Sequence, residues 1–441
     1  MSLTTPEKIE RLQRKLYDKA KSEPEFRFYQ LYDKVYRRDI LAHAYAVCKH
    51  NGGASGVDGM TFGHIESQGL AEWLEGLGKE LREGTYKPQA VRRVLIPKPG
   101  GGERPLGIPT IRDRVVQTAA KLILEPIFEA DLDEAAHGYR PGRSAGDALA
   151  KVHAALKGGQ TDVVDADLSK YFDTIPHHEL LRSVARRVVD RHMLRLIRMW
   201  LKAPVEEEDQ RGNKRYTGGR KSKVGTPQGG VISPLLANIY MNRYLRHFRQ
   251  QGKDVEFRAT LINYADDFVI LCRGKAREAL EWTQEVMGKL KLTMNTAKTC
   301  LRDAQSETFN FLGYTFGPNY HRKTGQRYTG AWPSDKSVKR IKENVSKLLR
   351  PGNQEPIGKV VQSLNTRLRG WAGYFSYGQP YTACKRVDYH VLQRVQSFLR
   401  RRHKLKSNGR YVFNSCRIRR EFGVITLLEL LRARRRPACR S

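Results

Sequence analysis

The feature that constrains this chain most is a polar break in an apolar run. Tyr264-Ala265-Asp266-Asp267 lies between Leu261-Ile262 and Phe268-Val269-Ile270. Two adjacent carboxylates are costly to bury unpaired in such a segment. The run therefore reads as a β-hairpin with a polar tip, whose tight turn lifts both acids out of the core and presents them together. Hard carboxylate oxygens suit a magnesium ion, although a solvent-exposed hairpin tip would have the same tetrapeptide. A partner lies 99 residues before Asp266: Asp162-Val-Val-Asp-Ala-Asp-Leu168 reads as a short buried strand and contains Asp167. Asp165 and Asp167 share a face of that strand by alternation, so periodicity alone does not choose between them. Asp173 is a further acid nearby and reads better as a surface or helix N-terminal residue. Three carboxylates from two strands can hold two Mg²⁺ ions, one activating an attacking hydroxyl and one binding a triphosphate and steadying the leaving pyrophosphate.

Charge narrows the partner. The 441 residues carry a formal charge of +34, which folding does not require and which costs self-repulsion. A polyanion bound through its phosphates is the simplest explanation. A basic membrane-surface protein would cluster Trp or Phe on amphipathic helices, and here the basic residues are spread too widely for that. Residues 331–441 hold 26 Lys and Arg against 6 Asp and Glu, a net of +20, whereas residues 1–330 carry +14. The last quarter is thus the expected nucleic-acid grip, and the acids concentrate where a catalytic core needs them. No run of 18 apolar residues marks a membrane span, and the N-terminal stretch lacks the apolar core of a signal peptide. The six cysteines, Cys48, Cys272, Cys300, Cys384, Cys416 and Cys439, form no C-x-x-C pair. They read as reduced thiols of a cytosolic protein.

Element signals run the length of the chain. Residues 6–21 read as a helix capped by Thr5 with Pro6 in its first turn, followed by a second helical stretch near 24–48. Asn51 to Gly59 is too rich in glycine for anything but a loop. Residues 70–83 are helical. Val91–Ile96 is a strand by its β-branched content, and with Gly107-Ile108-Pro109 across a Pro-Gly turn it makes a hairpin over 91–109. Helices are expected at about 112–129, 144–157, 177–203 and 275–291. Another runs from Ser233 to about 249, with Ser233 as cap and Pro234 in its first turn. Beyond about 330 the chain reads as helical and basic.

Taken in order, these segments resemble the motifs of group II intron reverse transcriptases. Ser55-Gly-Val-Asp-Gly59 resembles the motif ahead of the fingers, and Ile96-Pro-Lys-Pro-Gly-Gly-Gly-Glu-Arg-Pro-Leu-Gly-Ile-Pro109 the fingers hairpin. Gly138-Tyr-Arg-Pro-Gly-Arg-Ser144 resembles the second motif, and Asp165-Ala-Asp-Leu-Ser-Lys-Tyr-Phe-Asp-Thr-Ile-Pro-His177 the first palm motif. Gly225-Thr-Pro-Gln-Gly-Gly-Val-Ile-Ser-Pro-Leu-Leu-Ala-Asn238 precedes the Tyr-Ala-Asp-Asp hairpin, as in that family. Leu292-Thr-Met-Asn-Thr-Ala-Lys-Thr299 and Phe311-Leu-Gly-Tyr-Thr-Phe316 resemble the last two motifs, and Leu364-Asn-Thr-Arg-Leu-Arg-Gly-Trp-Ala-Gly-Tyr-Phe375 the maturase or thumb domain. The resemblance covers about residues 50–400.

What the resemblance implies is specific. It selects Asp167, whose Leu-x-x-x-Phe follow-on aligns, to join Asp266 and Asp267 as the catalytic and metal-binding set for two Mg²⁺. Phe172 becomes a steric gate that excludes a ribose 2′-hydroxyl; by its residue type alone it reads better as a core ring beside Tyr171. Lys98 and Arg104 become triphosphate contacts, Gln228 a residue lining the nucleotide pocket, and Lys298 a weaker phosphate contact. A lone Lys or Arg is otherwise ordinary solvated charge. Leu364, Leu368, Trp371 and Phe375 fall at helical spacing and read as a packing face. Arg367, Arg369, Lys385, Arg386, Arg394, Arg400, Arg401 and Arg402 supply phosphate contacts for structured RNA, which is held by shape and backbone.

The expected fold is α+β, a right-hand polymerase with fingers and an antiparallel palm sheet, followed by a helical thumb. The expected segments are 1–49 as an N-terminal helical extension, 50–325 as fingers and palm, 326–405 as thumb/maturase, and 406–441 as a basic nucleic-acid-binding segment. The partners so implied are a group II intron RNA, an RNA template with a DNA primer, target DNA and dNTPs, with no membrane, in a bacterial cytoplasm. The chain ends without the paired Cys and His of the zinc-bearing nuclease domain that many family members carry. Its primer is then expected from elsewhere, such as a replication fork. Two rivals stand beside this reading. One is an RNA chaperone that has lost polymerisation, against which the three aspartates argue. The other is a host-adopted reverse transcriptase in DNA repair or defence, for which the same palm would serve.

Overall fold

The computed structural model of the chain describes residues 3–97, 102–209, 211–227, 229–321, 323–406 and 411–435. It is an α+β protein, as expected. Its strands are β1 Val91–Pro97, β2 Glu103–Ile108, β3 Asp162–Asp167, β4 Pro204–Glu208, β5 Lys214–Gly218, β6 Thr260–Tyr264, β7 Asp267–Cys272, β8 Cys300–Asp303, β9 Phe309–Phe311, β10 Tyr314–Tyr320 and β11 Arg327–Pro333. Among the described residues they form three sheets, ordered β2-β1-β4-β5, β6-β7-β3-β8 and β11-β10-β9. The chain separates into two compact units. One comprises Met1–Ser144, Ala166–Ile270 and Lys275–Cys300, the other Ala145–Asp165, Leu271–Gly274 and Leu301–Ser441.

In the first unit the expected hairpin is present, with β1 and β2 antiparallel in a register from Arg92 opposite Ile108 to Pro97 opposite Glu103. Two further strands extend it. β4 pairs parallel to β1, Val91 opposite Val205, and β5 returns antiparallel to β4. The helix Ile111–Glu129 is buried on most of its surface, which is why its sequence lacks a clear polar stripe. Its start is fixed locally. The Thr110 hydroxyl accepts from Asp113 N and donates to Asp113 Oδ2, and the same carboxylate accepts from Tyr86 Oη and Gln89 N. Those bonds satisfy an otherwise unfavourable buried acid.

Several boundaries differ from expectation for identifiable reasons. The first helix, Glu7–Ser22, has Pro6 rather than Thr5 as its cap residue, and the Pro6 carbonyl accepts from Ile9 N and Glu10 N. The stretch expected as one helix near 24–48 holds helices at Tyr32–Val35 and Arg38–Asn51 only. Before them the backbone of Phe28 pairs with the segment around Val188, donating to Arg187 O and accepting from Val189 N. The expected 177–203 helix is two, His177–Ala185 and Arg191–Leu201. Asp190 breaks it by capping the second, accepting from His192 N and Met193 N, while its other oxygen holds Leu31 N and Tyr32 N. Ser233 opens its helix, Ser233–Gln250, but does not cap it. Its hydroxyl donates to Pro227 O at 2.8 Å, and Ile232 takes the cap position.

Among the described residues, the second unit combines the β11-β10-β9 sheet with the helix Ala145–Lys157 and the later helices Asp335–Leu348, Ile357–Tyr374, Tyr381–Arg402, Ser415–Phe422 and Leu427–Arg435. Leu364, Leu368 and Trp371 lie in its apolar core with Val338, Val387 and Leu399, and Phe375 packs against it. The packing-face reading of those four residues therefore holds. Phe413, Ile418, Leu427 and Leu431 join the same core, so part of the basic C-terminal segment is structural. The Asp388 carboxylate accepts from Leu427 N and Leu428 N, the first amides of the last helix. The cysteines among the described residues are free thiols, and no described helix is long and apolar enough to cross a membrane.

Candidate active site

The acidic hairpin folds as its sequence suggested. β6 and β7 are joined through Ala265 and Asp266, and Ala265 takes the left-handed conformation with φ 62°. A non-glycine residue held there carries strain that its surroundings must offset. They do so through Asn263, the lone amide before the turn. Its Nδ2 donates to Ala265 O at 2.9 Å and to Asp267 O at 3.4 Å, and the residue is 1% exposed. Its backbone is bound on both sides, donating to Ala135 O and accepting from His137 N, each at 2.8 Å. Gly138 follows, and a Cβ there would lie 2.5 Å from Ala265 N, so only glycine permits this approach. Asn238 Nδ2 donates to Gly138 O at 2.8 Å. Three of the motifs read from the sequence thus meet around one turn.

Asp167 ends β3 and is tied to the segment after the helix Ala276–Lys289. Asn295 N donates to Asp167 O at 2.8 Å, Ser169 N donates to Thr293 O at 2.9 Å, and Leu168 bridges Met294. Its carboxylate accepts from Lys298 Nζ at 2.9 Å and from Asn295 Nδ2 at 3.3 Å. The ammonium of Lys298 is held above its ordinary pKa, first by that hydrogen bond and further by the fields of Asp167, Asp267 and Asp266. The three aspartates therefore act on one neighbourhood.

A cavity of about 900 Å³ opens there, lined by Asp167 and Asp266, by Phe172 and Arg104, and by Lys298 and Asn295. Phe172, 6% exposed, sits in the short helix Tyr171–Thr174. Its carbonyl accepts from Thr226 N at 2.6 Å and Thr226 Oγ1 at 3.3 Å. Its ring meets Tyr171 at 5.7 Å and Tyr139 at 6.5 Å, edge-on in both cases. Tyr139 is half exposed with φ 57°. Burial raises its hydroxyl pKa, the Asp266 charge adds to the rise, and Arg104 opposes it. Gly229, φ 105°, abuts Gly107 O so closely that a side chain would collide. Lys98 and Gln228 lie outside the described residues.

The donor set is hard oxygen, the kind Mg²⁺ takes. Among the described residues no three His, Cys, Asp or Glu side chains stand close enough together to cage a metal by themselves. That is not what magnesium needs when a substrate brings phosphates, since one or two carboxylates then suffice with water completing the shell. Lys298 Nζ lies 2.9 Å from Asp167 Oδ2, so a cation already stands against one of these carboxylates.

In the second unit the expected RNA contacts divide. Arg369, Lys385 and Arg401 are exposed, and Arg400 is half-buried. Arg367 Nη1 donates to Asn344 O at 3.0 Å, and Arg386 pairs with Asp335 at 2.6 Å. The Arg402 guanidinium lies 5.1 Å from the Phe398 ring centroid. Arg394 reaches Ser346 O and Leu349 O, the end of the Asp335–Leu348 helix, where a guanidinium satisfies orphan carbonyls.

Asn263, Tyr139 and Asn295 carry no role in the sequence reading. Asn263 could have been found, because it is a lone amide between Leu261-Ile262 and the acidic turn. Tyr139 and Asn295 sit inside motifs already singled out, but nothing in their spacing tells which way they face.

Residues 96–316 match the family described as "Reverse transcriptase (RNA-dependent DNA polymerase)", and residues 338–415 match "Group II intron, maturase-specific domain". Protein YkfC of Escherichia coli is 33% identical over 75% of this chain and 93% of its own length. The group II intron-encoded protein LtrA of Lactococcus lactis is 31% identical over 65% of this chain, which spans 56% of LtrA. An uncharacterized 91 kDa protein in the cob intron of Schizosaccharomyces pombe is 26% identical over 78% of this chain and 50% of its own length.

Proposed function

Because the chain belongs to the group II intron reverse transcriptase and maturase family, we propose that it copies RNA into DNA at the Asp167–Asp266 cavity while its second unit holds a group II intron RNA and assists its splicing. The observation that carries this reading is the meeting of Asp167, Asp266, Arg104 and Phe172 on one cavity.

Asp167, Asp266 and Asp267 are the residues that would hold Mg²⁺, which when bound supplies charge to the primer 3′-hydroxyl and to the triphosphate. Arg104, on β2, offers a permanently charged guanidinium to the nucleotide phosphates, and the motif resemblance gives Lys98 and Gln228 a nucleotide-binding role as well. Phe172 occupies the space a 2′-hydroxyl would need, and the Thr226 bonds to its carbonyl fix the ring's backbone. The braced Asn263 turn holds Asp266 and Asp267 in place, so little reorganisation is left for the reaction step. Residues 50–325 act as fingers and palm, 326–405 as thumb, and the exposed arginines and lysines of that thumb, with the basic stretch after it, bind RNA backbone. Template, primer, target DNA and dNTPs are its other partners, in a bacterial cytoplasm.

The test separates chemistry from affinity. Asp266→Asn should abolish primer extension on an RNA template and leave RNA binding within about twofold, since affinity comes from counterion release on the basic surface. Loss of both with an unchanged circular-dichroism spectrum would refute that division.

A further inference from the structure

We propose that the Lys298 ammonium is a built-in counter-ion of the aspartate cluster, which an incoming divalent cation must displace from Asp167. The inference rests on reading Asp167, Asp266 and Asp267 as the metal ligands.

The geometry separates a fixed backbone from a movable side chain. Backbone bonds hold the 293–299 segment against the end of β3: Ser169 N to Thr293 O, Asn295 N to Asp167 O, and Lys298 N and Thr299 N to Asn295 O, at 2.8–3.1 Å. From that anchored position Lys298 reaches Asp167 Oδ2 at 2.9 Å with 64% of its side chain exposed, while the Asp167 side chain is 23% exposed. Like charges gathered at one site raise each other's free energy. A single ammonium 2.9 Å from Asp167 Oδ2, within the fields of Asp266 and Asp267, offsets part of that repulsion before any metal arrives.

The same geometry makes the pair cheap to break. An ion pair with one partner mostly in water is worth little, and a four-carbon stem can swing away with no backbone movement. Lys298 and a metal ion therefore compete for one carboxylate oxygen, and the displaced ammonium remains within the cavity that would take the triphosphate. A lysine that merely oriented Asp167 for the metal would behave in the opposite way: its removal would weaken metal binding.

The experiment is a Mn²⁺ titration followed by electron paramagnetic resonance on the full chain without nucleotide, comparing wild type with K298M, K298Q, K298R and D167N. K298M and K298Q should bind Mn²⁺ about two- to fivefold more tightly, the factor that corresponds to the worth of an exposed pair. K298R, which keeps the charge, should match wild type. Metal-free K298M should melt at a lower temperature than wild type and gain more on Mn²⁺ addition. Equal or weaker Mn²⁺ affinity in the folded K298M or K298Q protein overturns the proposal. Unchanged affinity in D167N overturns the metal-ligand reading itself and the proposal with it. Using two neutral variants keeps the test standing should one of them misfold.

Discussion

Replacing Asn263 by Ala removes the side chain that braces the acidic turn from below. Two donated bonds disappear, one of good length to Ala265 O at 2.9 Å and one long one to Asp267 O at 3.4 Å. A neutral hydrogen bond contributes about 1 kcal/mol net, and leaving its buried partner unsatisfied costs about 1–3 kcal/mol. With the residue 1% exposed, water cannot replace the missing donor, so a destabilisation of about 2–3 kcal/mol is expected, a fraction of the about 5–15 kcal/mol that a domain holds. The protein should still fold. The rate should suffer more than the stability, because Ala265 keeps its left-handed strain without the bond that offsets it, and the two carboxylates shift. A displacement on the order of 1 Å costs about a hundredfold in rate. Steady-state extension of a DNA primer on an RNA template should show kcat down by about ten- to a hundredfold with KM for primer-template unchanged. Urea unfolding measures the stability change in parallel. A variant destabilised by the expected amount but with kcat within twofold of wild type would refute the argument, since the turn would then be holding its own geometry.

Phe172→Ala should open room for a 2′-hydroxyl and lower the ratio of dNTP to NTP incorporation by about tenfold or more; an unchanged ratio removes Phe172 from the gate. Arg400, Arg401 and Arg402 replaced together by Ala should weaken binding of a structured intron RNA and flatten log affinity against log salt by roughly 0.7–0.9 for each phosphate that the variant no longer neutralises, with extension of a short annealed primer affected less. Parallel slopes at equal affinity would show those arginines idle. Burial pushes the Asp190 carboxyl up, but the backbone amides of Leu31, Tyr32, Met193 and His192 outweigh it, so the group lies below its ordinary value. A depressed carboxylate stabilises the fold above its unfolded pKa and loses that contribution as pH falls through the folded one. Asp190→Asn should therefore be less stable than wild type at pH 7, and the gap in unfolding free energy should shrink below about pH 4; a gap constant between pH 7 and pH 3 would count against the ionised cap.

The parts of this fold that the sequence made legible are those whose chemistry is local. Paired acids inside an apolar run demand a turn, a Pro-Gly cluster between β-branched runs demands a hairpin, and both are present as expected. The β4–β5 hairpin escaped because Pro204–Glu208 carries three consecutive glutamates, a pattern that alternation does not flag as a strand. One of them, Glu206, is buried against Tyr216 Oη and Lys214 Nζ, a cross-strand network that only the pairing itself creates. The sequence reading assigns the β9–β11 sheet no element, and within it Gly330 is opposed by Asn319 at a distance that leaves little room for a side chain. Helix breaks at Asp190 and before Tyr32 depend on each other across more than 150 residues of chain, so neither could be read alone. For the site, residue types and order identified the acids and the aromatic ring, while the support beneath them is a matter of which backbone faces which.

Charge illustrates the same division, since an excess of basic residues is a statement about the surface only where the side chains are on it. Arg114, Arg140 and Arg187 are all nearly buried, and each serves irregular backbone. Arg114 donates to Pro109 O, Gly52 O and Ala54 O, fixing the glycine-rich stretch between residues 51 and 59. Arg187 donates to Ala20, Pro24 and Phe26 carbonyls, closing the segment where the first helix ends. Arg140 pairs with Glu129 and donates to Asp133 O and Ala136 O. A guanidinium can do this because it carries five donors in a fixed plane, where an ammonium carries three on a flexible stem. Arg140 has the furthest reach. The loop it holds contains Ala135 and leads into His137, the two residues whose backbone binds Asn263, and Asn263 in turn holds Ala265 at the acidic turn. A positive charge within the Gly138-Tyr-Arg motif thus acts on the carboxylates from behind, through successive hydrogen-bonded steps, rather than on a phosphate in front of them.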